Sequence, residues 1–241
     1  MAVTELWLVR HGESIANAAA SRAEREGLEV VPIDIRDADV PLSRTGEDQA
    51  EALRAWIGEH RSALDAFWVS PYVRARETLA IALAGSPAGA VIAVDERLRD
   101  RELGILDLLT TRGVAMRHPE EAERRRRLGK FYHRPPGGES WADVALRLRS
   151  FLGDALLSPA QSALIVAHDA VVMLLLYLLL PLEERDLLEF AAAHTVLNAS
   201  VTHLVRVESG WQLVEFSTVD HLTREGAAVT EHPGSPDVQP E

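Results

Sequence analysis

Residues 5–14 read Glu-Leu-Trp-Leu-Val-Arg-His-Gly-Glu-Ser, an apolar run that is followed directly by charged and small residues. The run from Leu6 to Val9 is short and apolar, which is typical of a buried strand in a parallel sheet. Ligands of open parallel sheets bind at the carboxyl ends of the strands. The segment after this strand therefore supplies the first candidate site residues, Arg10, His11, Gly12, Glu13 and Ser14.

Three further runs predict buried parallel strands of the same sheet, namely Ala66 to Ser70, Val91 to Val94 and Ala163 to Ala167. Apolar residues recur at helical spacing between the strands, for example within residues 50–60 and 141–155. Strands that alternate with helices indicate an α/β fold in which helices cover both faces of the sheet.

The carboxyl half adds two local predictions. Ala199 to Val207 and Trp211 to Phe216 predict a hairpin joined across residues 208–210, which gives the sheet an antiparallel edge. Ser140 with Asp143 predicts a capping box at the start of a helix. We therefore expect a three-layer α/β/α architecture with a mostly parallel central sheet.

One apolar stretch, from Ala163 to Leu182, has roughly the length that a bilayer requires. His168 and Asp169 interrupt this stretch. We therefore interpret it as a buried strand, a loop and a buried helix from Val171 to Leu180, and not as a membrane span.

The 241 residues include 25 Lys and Arg against 37 Asp and Glu, a formal net charge of -12. This balance disfavours nonspecific binding to nucleic acid or to an anionic membrane surface. The chain contains no cysteine, which excludes a thiolate zinc site and a cysteine nucleophile. The amino terminus does not show the pattern of a signal peptide, so we expect a cytoplasmic protein.

Chemistry-bearing residues also follow the other predicted strands. Arg74 lies near the start of the helix after the second strand, with Ser70 predicted as the N-cap and Pro71 as the first helical residue. Further candidates follow the third and fourth strands: Asp100, Glu102 and His168. The planar guanidinium of arginine matches phosphate oxygens, so Arg10 and Arg74 at one crevice indicate a phosphoryl group.

Other chemistries lack their residues. The sequence has no Gly-rich loop that ends in Lys-Ser or Lys-Thr, no Gly-x-Ser-x-Gly elbow and no His-Glu-x-x-His pair. Two arginines in one pocket disfavour a divalent cation there. We therefore predict a reaction on a small-molecule phosphate monoester that needs no metal and no organic cofactor, and the oligomeric state stays open.

Taken in order, the motifs resemble those of the histidine phosphatase superfamily, the phosphoglycerate-mutase-like group. The resemblance covers roughly residues 3 to 205. It is carried by five segments: Leu8 to Ser14 with Asn17; Pro41 to Ser43 with Gly46 and Gln49-Ala50; Ser70-Pro71 with Arg74-Ala75 and Glu77-Thr78; Pro136 to Ser140; and Leu164 to His168.

This resemblance implies a phosphoric monoester hydrolase, which we expect to be of the histidine acid phosphatase type, in which His11 is phosphorylated during turnover. The further residues expected around the phosphate are Arg10, Arg74, His168, Asn17, Glu13, Ser14 and Gly12. Gly12 in addition is expected to let the backbone approach the ligand closely.

The sequence departs from the family pattern at two positions. The proton donor of the family is usually a glutamate, and here Asp100 stands in its register, with Glu102 as the alternative donor if the loop shifts. Asp169 stands where the family commonly has a glycine after the second histidine. Its backbone N–H can serve the phosphate, but its carboxylate repels a dianion unless it is turned away or paired.

Two other functions remain open from the sequence. A cofactor-dependent phosphoglycerate mutase would share the pocket, although the resembled mutases carry Trp before the pocket asparagine, where this chain has Ala16, and a Gly-Trp-x-Asp segment where it has residues 37–40. A scaffold that binds phosphate without turnover is suggested by the shortened acid Asp100 and by Asp169.

We expect residues 1–222 to form the histidine-phosphatase-like domain, with residues 105–138 as an insertion that covers the substrate. Within the insertion, Pro119 to Lys130 predicts a solvated helix with internal ion pairs, or alternatively a cationic lid for a second anionic group. Residues 223–241 contain Gly, Pro and acidic residues without periodicity, which predicts a disordered tail without chemistry.

Overall fold

The computed structural model describes residues 3–60, 64–85, 91–180 and 182–232. Within these ranges one sheet is formed by β1 (Glu5–Arg10), β2 (Ala66–Val69), β3 (Val91–Val94), β4 (Ser162–Ala167), β5 (Val201–Val207) and β6 (Gly210–Thr218). The strand order is β3-β2-β4-β1-β5-β6. The first four strands are parallel, whereas β5 and β6 each run antiparallel to a neighbour. The mostly parallel sheet with an antiparallel edge is confirmed.

The α-helices alternate with these strands along the chain, as the sequence predicts. They are α1 (Ile15–Glu26), α2 (Arg44–His60), α3 (Val73–Ala82), α4 (Thr111–Arg117), α5 (Pro119–Tyr132), α6 (Trp141–Ala155), α7 (Asp169–Leu179), α8 (Glu184–Ala193) and α9 (Asp220–Glu225). Ser140 and Asp143 form the predicted capping box of α6.

Alternate residues of β1 pack into two separate hydrophobic clusters, because successive side chains of a strand point to opposite faces. Leu6 and Leu8 contribute to the cluster that includes α6 and α7. Trp7 and Val9 contribute to the cluster that includes α2 and α3. Because β1 is covered on both faces, its residues 6–9 form an unbroken apolar run between Glu5 and Arg10, the polar residues at the two ends of the strand.

The apolar stretch from residue 163 onward divides into β4 and α7, as predicted. Among the described residues, no helix combines the length and the apolar character that a membrane crossing needs.

The start of α3 differs from the prediction. The helix begins at Val73 with Tyr72 as its N-cap, so Ser70 is not the N-cap and Pro71 is not its first residue. The hydroxyl of Ser70 instead lies 2.7 Å from Nε2 of His168. Ser70 thus contacts the histidine that follows the neighbouring strand β4 and does not cap α3. The N-cap of the helix lies two residues later than the sequence predicts.

The prediction of a disordered tail from residue 223 is wrong for residues 223–232. α9 continues to Glu225, and the chain then runs along the protein to His232, which is 9% exposed. The side-chain amide of Gln49 donates to the carbonyl oxygen of Ala228 and to the hydroxyl of Thr230. These polar contacts hold the segment against the protein. They depend on a few specific partners, so the amino-acid composition of the segment does not predict them. Residues 233–241, the remainder of the predicted tail, lie outside the described residues.

The first turn of α2 touches the loop after β1 at two glycines. A Cβ atom on Gly46 would lie 2.0 Å from the carbonyl oxygen of Glu13, and one on Gly12 would lie 2.7 Å from the carbonyl oxygen of Gly46. The absence of both side chains therefore allows this backbone contact, which holds the loop that carries His11. The expected approach of Gly12 to a ligand stays a prediction.

Replacement of Gly46 by alanine should lower the free energy of unfolding by about 2 kcal/mol, because the added methyl group forces two backbone segments apart. Gly58→Ala, in the same helix but with no atom within 4 Å of the added Cβ, should raise it by up to about 1 kcal/mol. Urea unfolding of both variants measures the difference. Equal stabilities of the two variants would contradict the close packing at Gly46.

Candidate active site

His11 lies directly after β1 and is 2% exposed. Its Nδ1 is 2.7 Å from the carbonyl oxygen of Gly12. Because a carbonyl can only accept, Nδ1 carries the proton and Nε2 carries the free electron pair. Nε2 in turn accepts a hydrogen bond of 3.2 Å from Nε of Arg74. Burial, and after it the positive charge of Arg74, lowers the pKa of His11 well below its usual range.

Arg74, in the first turn of α3, is the electrostatic centre of the site. Its Nη1 donates to the carboxylate of Asp37 at 2.9 Å, and its Nη2 donates to the carboxylate of Asp100 at 2.9 Å. Burial works to lower the pKa of Arg74, but the two carboxylates outweigh it and raise the pKa. The guanidinium therefore stays charged beside His11.

Asp37 was not among the candidate site residues. It lies in a short 3₁₀ turn, Asp37–Asp39, and its side chain is 34% exposed. Burial raises the pKa of Asp37 against the opposing effect of Arg74. The only signal in the sequence is its position in a segment that departs from the resembled mutases, and nothing local indicates that it reaches Arg74.

Asp100 and His168 meet at the ends of β3 and β4. Oδ2 of Asp100 lies 3.2 Å from Nδ1 of His168, whose Nε2 lies 2.7 Å from the hydroxyl of Ser70. Burial lowers the pKa of His168, although Asp100 opposes this effect. Burial works to raise the pKa of Asp100, but His168, Arg74 and the backbone N–H of Arg101 hold it well below its usual range.

Glu102, the alternative acid, is placed differently. Its carboxylate accepts a hydrogen bond of 2.8 Å from the hydroxyl of Tyr72. Burial, and next this hydrogen bond, raises the pKa of the tyrosine. Asp100 and His11 both accept hydrogen bonds from Arg74, whereas the carboxylate of Glu102 accepts one from Tyr72.

Arg10 is held by backbone carbonyls. Its Nη1 donates to the carbonyl oxygen of Val196 at 2.5 Å, and its Nη2 donates to that of His232 at 2.8 Å. Burial lowers the pKa of this arginine. Its Nε–H is buried and has no hydrogen-bond partner among the described residues. It is available to a bound anion.

Ser14 and Asn17 form the capping box of α1, so the side-chain oxygen atoms of both residues accept hydrogen bonds from the backbone. Asn198, which the sequence reasoning missed, donates to the carbonyl oxygen of His11 at 3.1 Å and lies 3.4 Å from Oδ1 of Asn17. These residues support the loop, and their expected contacts with phosphate stay predictions.

Glu13 is buried beneath the site and is paired on both carboxylate oxygens. One oxygen accepts from the hydroxyl of Ser43 at 2.6 Å, and the other lies 2.7 Å from Nε2 of His232. His232 belongs to the segment predicted to be disordered. No periodicity or motif in residues 223–232 indicates that this segment reaches the pocket.

Asp169 is the first residue of α7, where the helix dipole favours a carboxylate. Its charge also opposes the effect of burial on the pKa of Arg10. Within the described ranges, no group of three or more histidine, aspartate or glutamate side chains is arranged to hold a metal ion. The polar side chains that follow β1, β2, β3 and β4 instead lie within hydrogen-bond distance of one another.

The comparisons with known proteins agree with this fold. Residues 6–218 match the family model of the histidine phosphatase superfamily (branch 1). The α/β fold and the strand-end site thus define a class of phosphoryl-transfer proteins. The chain belongs to the histidine phosphatase superfamily.

A curated relative, "Probable phosphoglycerate mutase GpmB" of Yersinia enterocolitica, is 30% identical over 213 residues, which cover 86% of this chain and 87% of that protein. A phosphoglycerate mutase-like protein of Arabidopsis thaliana is 34% identical, and the match covers 60% of this chain and half of that protein.

Two solved structures share the fold over most of their length. The mycobacterial glucosyl-3-phosphoglycerate phosphatase in complex with VO3 is 26% identical, with a TM-score of 0.71 and coverage of 90% of this chain and 100% of that one. The α-ribazole phosphatase of Shigella flexneri has a TM-score of 0.71 at 20% identity, with coverage of 89% and 96%. This second likeness shows the fold alone.

Removal of the charge of Arg74 should raise the pKa of His11, because the guanidinium opposes a second positive charge at Nε2. An NMR titration of the imidazole nitrogens should show a midpoint below pH 6.5 in the wild type and a higher one in Arg74→Met. Arg44→Met removes a surface arginine that pairs within α2 and should leave the midpoint unchanged. The same midpoint in all three proteins would contradict the account.

Proposed function

We propose that the protein is a phosphoric monoester hydrolase that forms a phosphohistidine at His11. The observation that carries this proposal is the state of His11, whose Nε2 is unprotonated, buried and 3.2 Å from a charged guanidinium nitrogen. Such a nitrogen is a nucleophile next to a positive charge that attracts phosphate. Relatives that are phosphatases support a hydrolase in general, and the finer histidine acid phosphatase type stays a prediction.

In the first step, Nε2 of His11 attacks phosphorus in line with the leaving oxygen. The new N–P bond forms as the P–O bond breaks, and the electron pair of that bond goes to the leaving oxygen. Arg10, Arg74 and His168 stabilise the charge on the other phosphate oxygens. In the second step, a water molecule attacks phosphorus, which releases inorganic phosphate and restores His11.

Asp100 gives the leaving oxygen its proton in this proposal, and later accepts one from the attacking water. In the free protein its pKa is low, so it begins ionised. A phosphate ester that binds as the monoanion carries the missing proton to the site. Once the phosphate takes over the contacts of Arg74, Asp100 loses one of the charges that hold its pKa down, and the negative charge of the phosphate raises this pKa further, so that Asp100 can receive the proton.

Positively charged side chains of the insertion already pair with neighbouring groups of the protein, which argues against a second anionic group on the substrate. Arg124 pairs with Glu121. Arg126 and Arg127 pair with Glu123. All of these pairs lie within α5, which supports the solvated-helix interpretation of this segment.

Two cations near the end of the insertion are also engaged elsewhere. Arg134 pairs with Asp143. Lys130 lies over the ring of Trp141, 4.6 Å from its centroid.

Asp37, Asp100 and Asp107 lie around Arg74, and we call this group of carboxylates the acidic mouth of the site. Burial, and after it Asp100 and Asp107, raises the pKa of Asp37 against the opposing effect of Arg74. Burial, and after it Glu102 and Asp100, raises the pKa of Asp107. A phosphoglycerate, which carries a carboxylate beside its phosphate, would meet these negative charges. The mouth therefore favours a hydrolase of singly phosphorylated esters over a mutase. That the reaction needs no metal or cofactor, and that the protein is cytoplasmic with no nucleic-acid or membrane partner, stay predictions.

A screen of the purified protein against phosphate monoesters, with EDTA present, tests the proposal. Phosphate release should persist in EDTA and fall by at least about 10³-fold in His11→Ala, because the nucleophile is lost. As a control, the circular dichroism spectrum of His11→Ala should match that of the wild type, which shows that the variant is folded. Equal release by His11→Ala and the wild type would sink the proposal, and release by neither would favour the scaffold that binds without turnover.

Asp100→Asn should lower kcat for alkyl esters by about 10²–10⁴-fold, because an alkoxide is a poor leaving group without a proton donor. The loss should be much smaller for p-nitrophenyl phosphate, whose leaving group needs no proton. Glu102→Gln is the matched control and should retain most activity on both. The opposite pattern, with the selective loss in Glu102→Gln, would assign the donor to Glu102.

Glycerol 3-phosphate has a hydroxymethyl group at the position where 3-phosphoglycerate has a carboxylate. A comparison of these two substrates therefore isolates the effect of the acidic mouth. We expect kcat/KM to be at least about ten-fold higher for glycerol 3-phosphate. Asp37→Asn should narrow this ratio, whereas Asp48→Asn, on the surface of α2, should not. A preference for 3-phosphoglycerate, and its conversion to 2-phosphoglycerate with a bisphosphoglycerate primer, would favour the mutase.

A further inference from the structure

The segment from Gly226 to His232 follows the last helix and returns to the catalytic end of the sheet. Gly226 ends α9 in the left-handed conformation, with φ of 73°, which turns the chain back toward the protein. Thr230 then contacts Asn198 twice. The backbone N–H of Asn198 donates to the carbonyl oxygen of Thr230 at 3.3 Å, and the hydroxyl of Thr230 donates to Oδ1 of Asn198 at 3.2 Å. Asn198 in turn supports the backbone of His11.

His232 makes three polar contacts at the end of this segment. Its carbonyl oxygen accepts from Nη2 of Arg10 at 2.8 Å. Its Nε2 lies 2.7 Å from the carboxylate of Glu13, and its Nδ1 lies 2.5 Å from the hydroxyl of Ser21. The residue thus uses its backbone and both ring nitrogens to join the β1 loop to α1.

The contact with Arg10 decides which part of the guanidinium can face a ligand. Nη1 and Nη2 are both held by carbonyl oxygens, of Val196 and His232. Nε is buried without a hydrogen-bond partner among the described residues. A buried N–H group without a partner is costly, and an anion in the pocket would satisfy it. Without His232, one of the two carbonyl contacts that fix this orientation is lost.

The contact of His232 with Glu13 is the second contact through which this segment supports the site. Glu13 is 8% exposed, and its second oxygen is held by Ser43, next to the loop that begins α2. Loss of the imidazole would leave one oxygen of a buried carboxylate without its partner, two residues after His11 in the chain. Such a carboxylate would either repel phosphate or move the backbone that carries His11.

We propose that His232 is a positioning residue, and that the carboxyl-terminal segment up to His232 is a structural part of the phosphate site. The segment holds Arg10 with Nε toward the anion and keeps the carboxylate of Glu13 paired. This inference rests on the phosphate site of the proposed function. It assigns to the end of the chain a role in ligand affinity and not only in stability.

Titration calorimetry with inorganic phosphate, together with steady-state kinetics on p-nitrophenyl phosphate, tests the inference in the full chain. His232→Ala removes the contacts to Glu13 and Ser21, and deletion of residues 229–241 also removes the carbonyl on Arg10. We expect phosphate affinity to fall roughly ten-fold in the first and up to a hundred-fold in the second, with KM raised in parallel and kcat changed less. His232→Gln, which keeps a donor for Glu13, should recover part of the affinity. Deletion of residues 237–241 alone is the matched control and should bind phosphate as the wild type does.

Thermal unfolding of each variant separates positioning from general stability. A loss of phosphate affinity in variants that remain folded at the temperature of the titration, with recovery in His232→Gln, supports the inference. Wild-type affinity in His232→Ala and in the 229–241 deletion would overturn it, and so would tighter binding, which would make the segment a blocker of the pocket. If His232→Ala fails to fold, the phosphate affinity of the 229–241 deletion relative to that of the 237–241 deletion decides, and equal affinities of these two variants overturn the inference. A wild-type protein that binds no phosphate would instead refute the proposed function itself.

Discussion

The buried guanidinium of Arg74 is the interaction on which the rest of the site depends. It is 5% exposed and contacts Nε2 of His11, the carboxylate of Asp37 and the carboxylate of Asp100. One cation thereby joins the loop after β1, the turn before α2, the start of α3 and the loop after β3. Together with burial it lowers the pKa of His11, and together with His168 it lowers the pKa of Asp100. In the mechanism that we propose, the nucleophile is therefore ready while the acid still lacks its proton, and a phosphate that competes for the same guanidinium changes both conditions.

The fold makes this contact possible because parallel strands end at one edge of the sheet. β1 lies next to β4, and β4 next to β2, so His11, His168 and Ser70 follow three adjacent strands. The close contact of Gly12 with Gly46 fixes the position of the loop after β1 relative to α2. Residues that are far apart in the chain therefore lie side by side at one edge of the sheet.

The sequence predicts the strands, the capping box of α6 and the convergence of His11, Arg74 and His168, since each follows from a local pattern or from where a strand ends. It does not predict Asp37 or His232. Both act through contacts between segments that are distant in sequence, and neither segment has a periodicity or motif that indicates its partner. The error at the start of α3 has a related cause, because the preference of Ser70 for a helix cap is overridden by its contact with His168. Local propensity thus fails where a side chain is used by the site.

The most direct test of the account is to look for the covalent intermediate on His11. Rapid acid-free quenching of the protein during turnover of an aryl phosphate, followed by peptide mass spectrometry, should detect a phosphoryl group that is stable to alkali and labile to acid. The account predicts this group on the peptide that contains His11, formed at least as fast as the overall turnover and absent from Asn or Ala variants at that position. Turnover without any such phosphoenzyme, or with the phosphoryl group on His168, would contradict it.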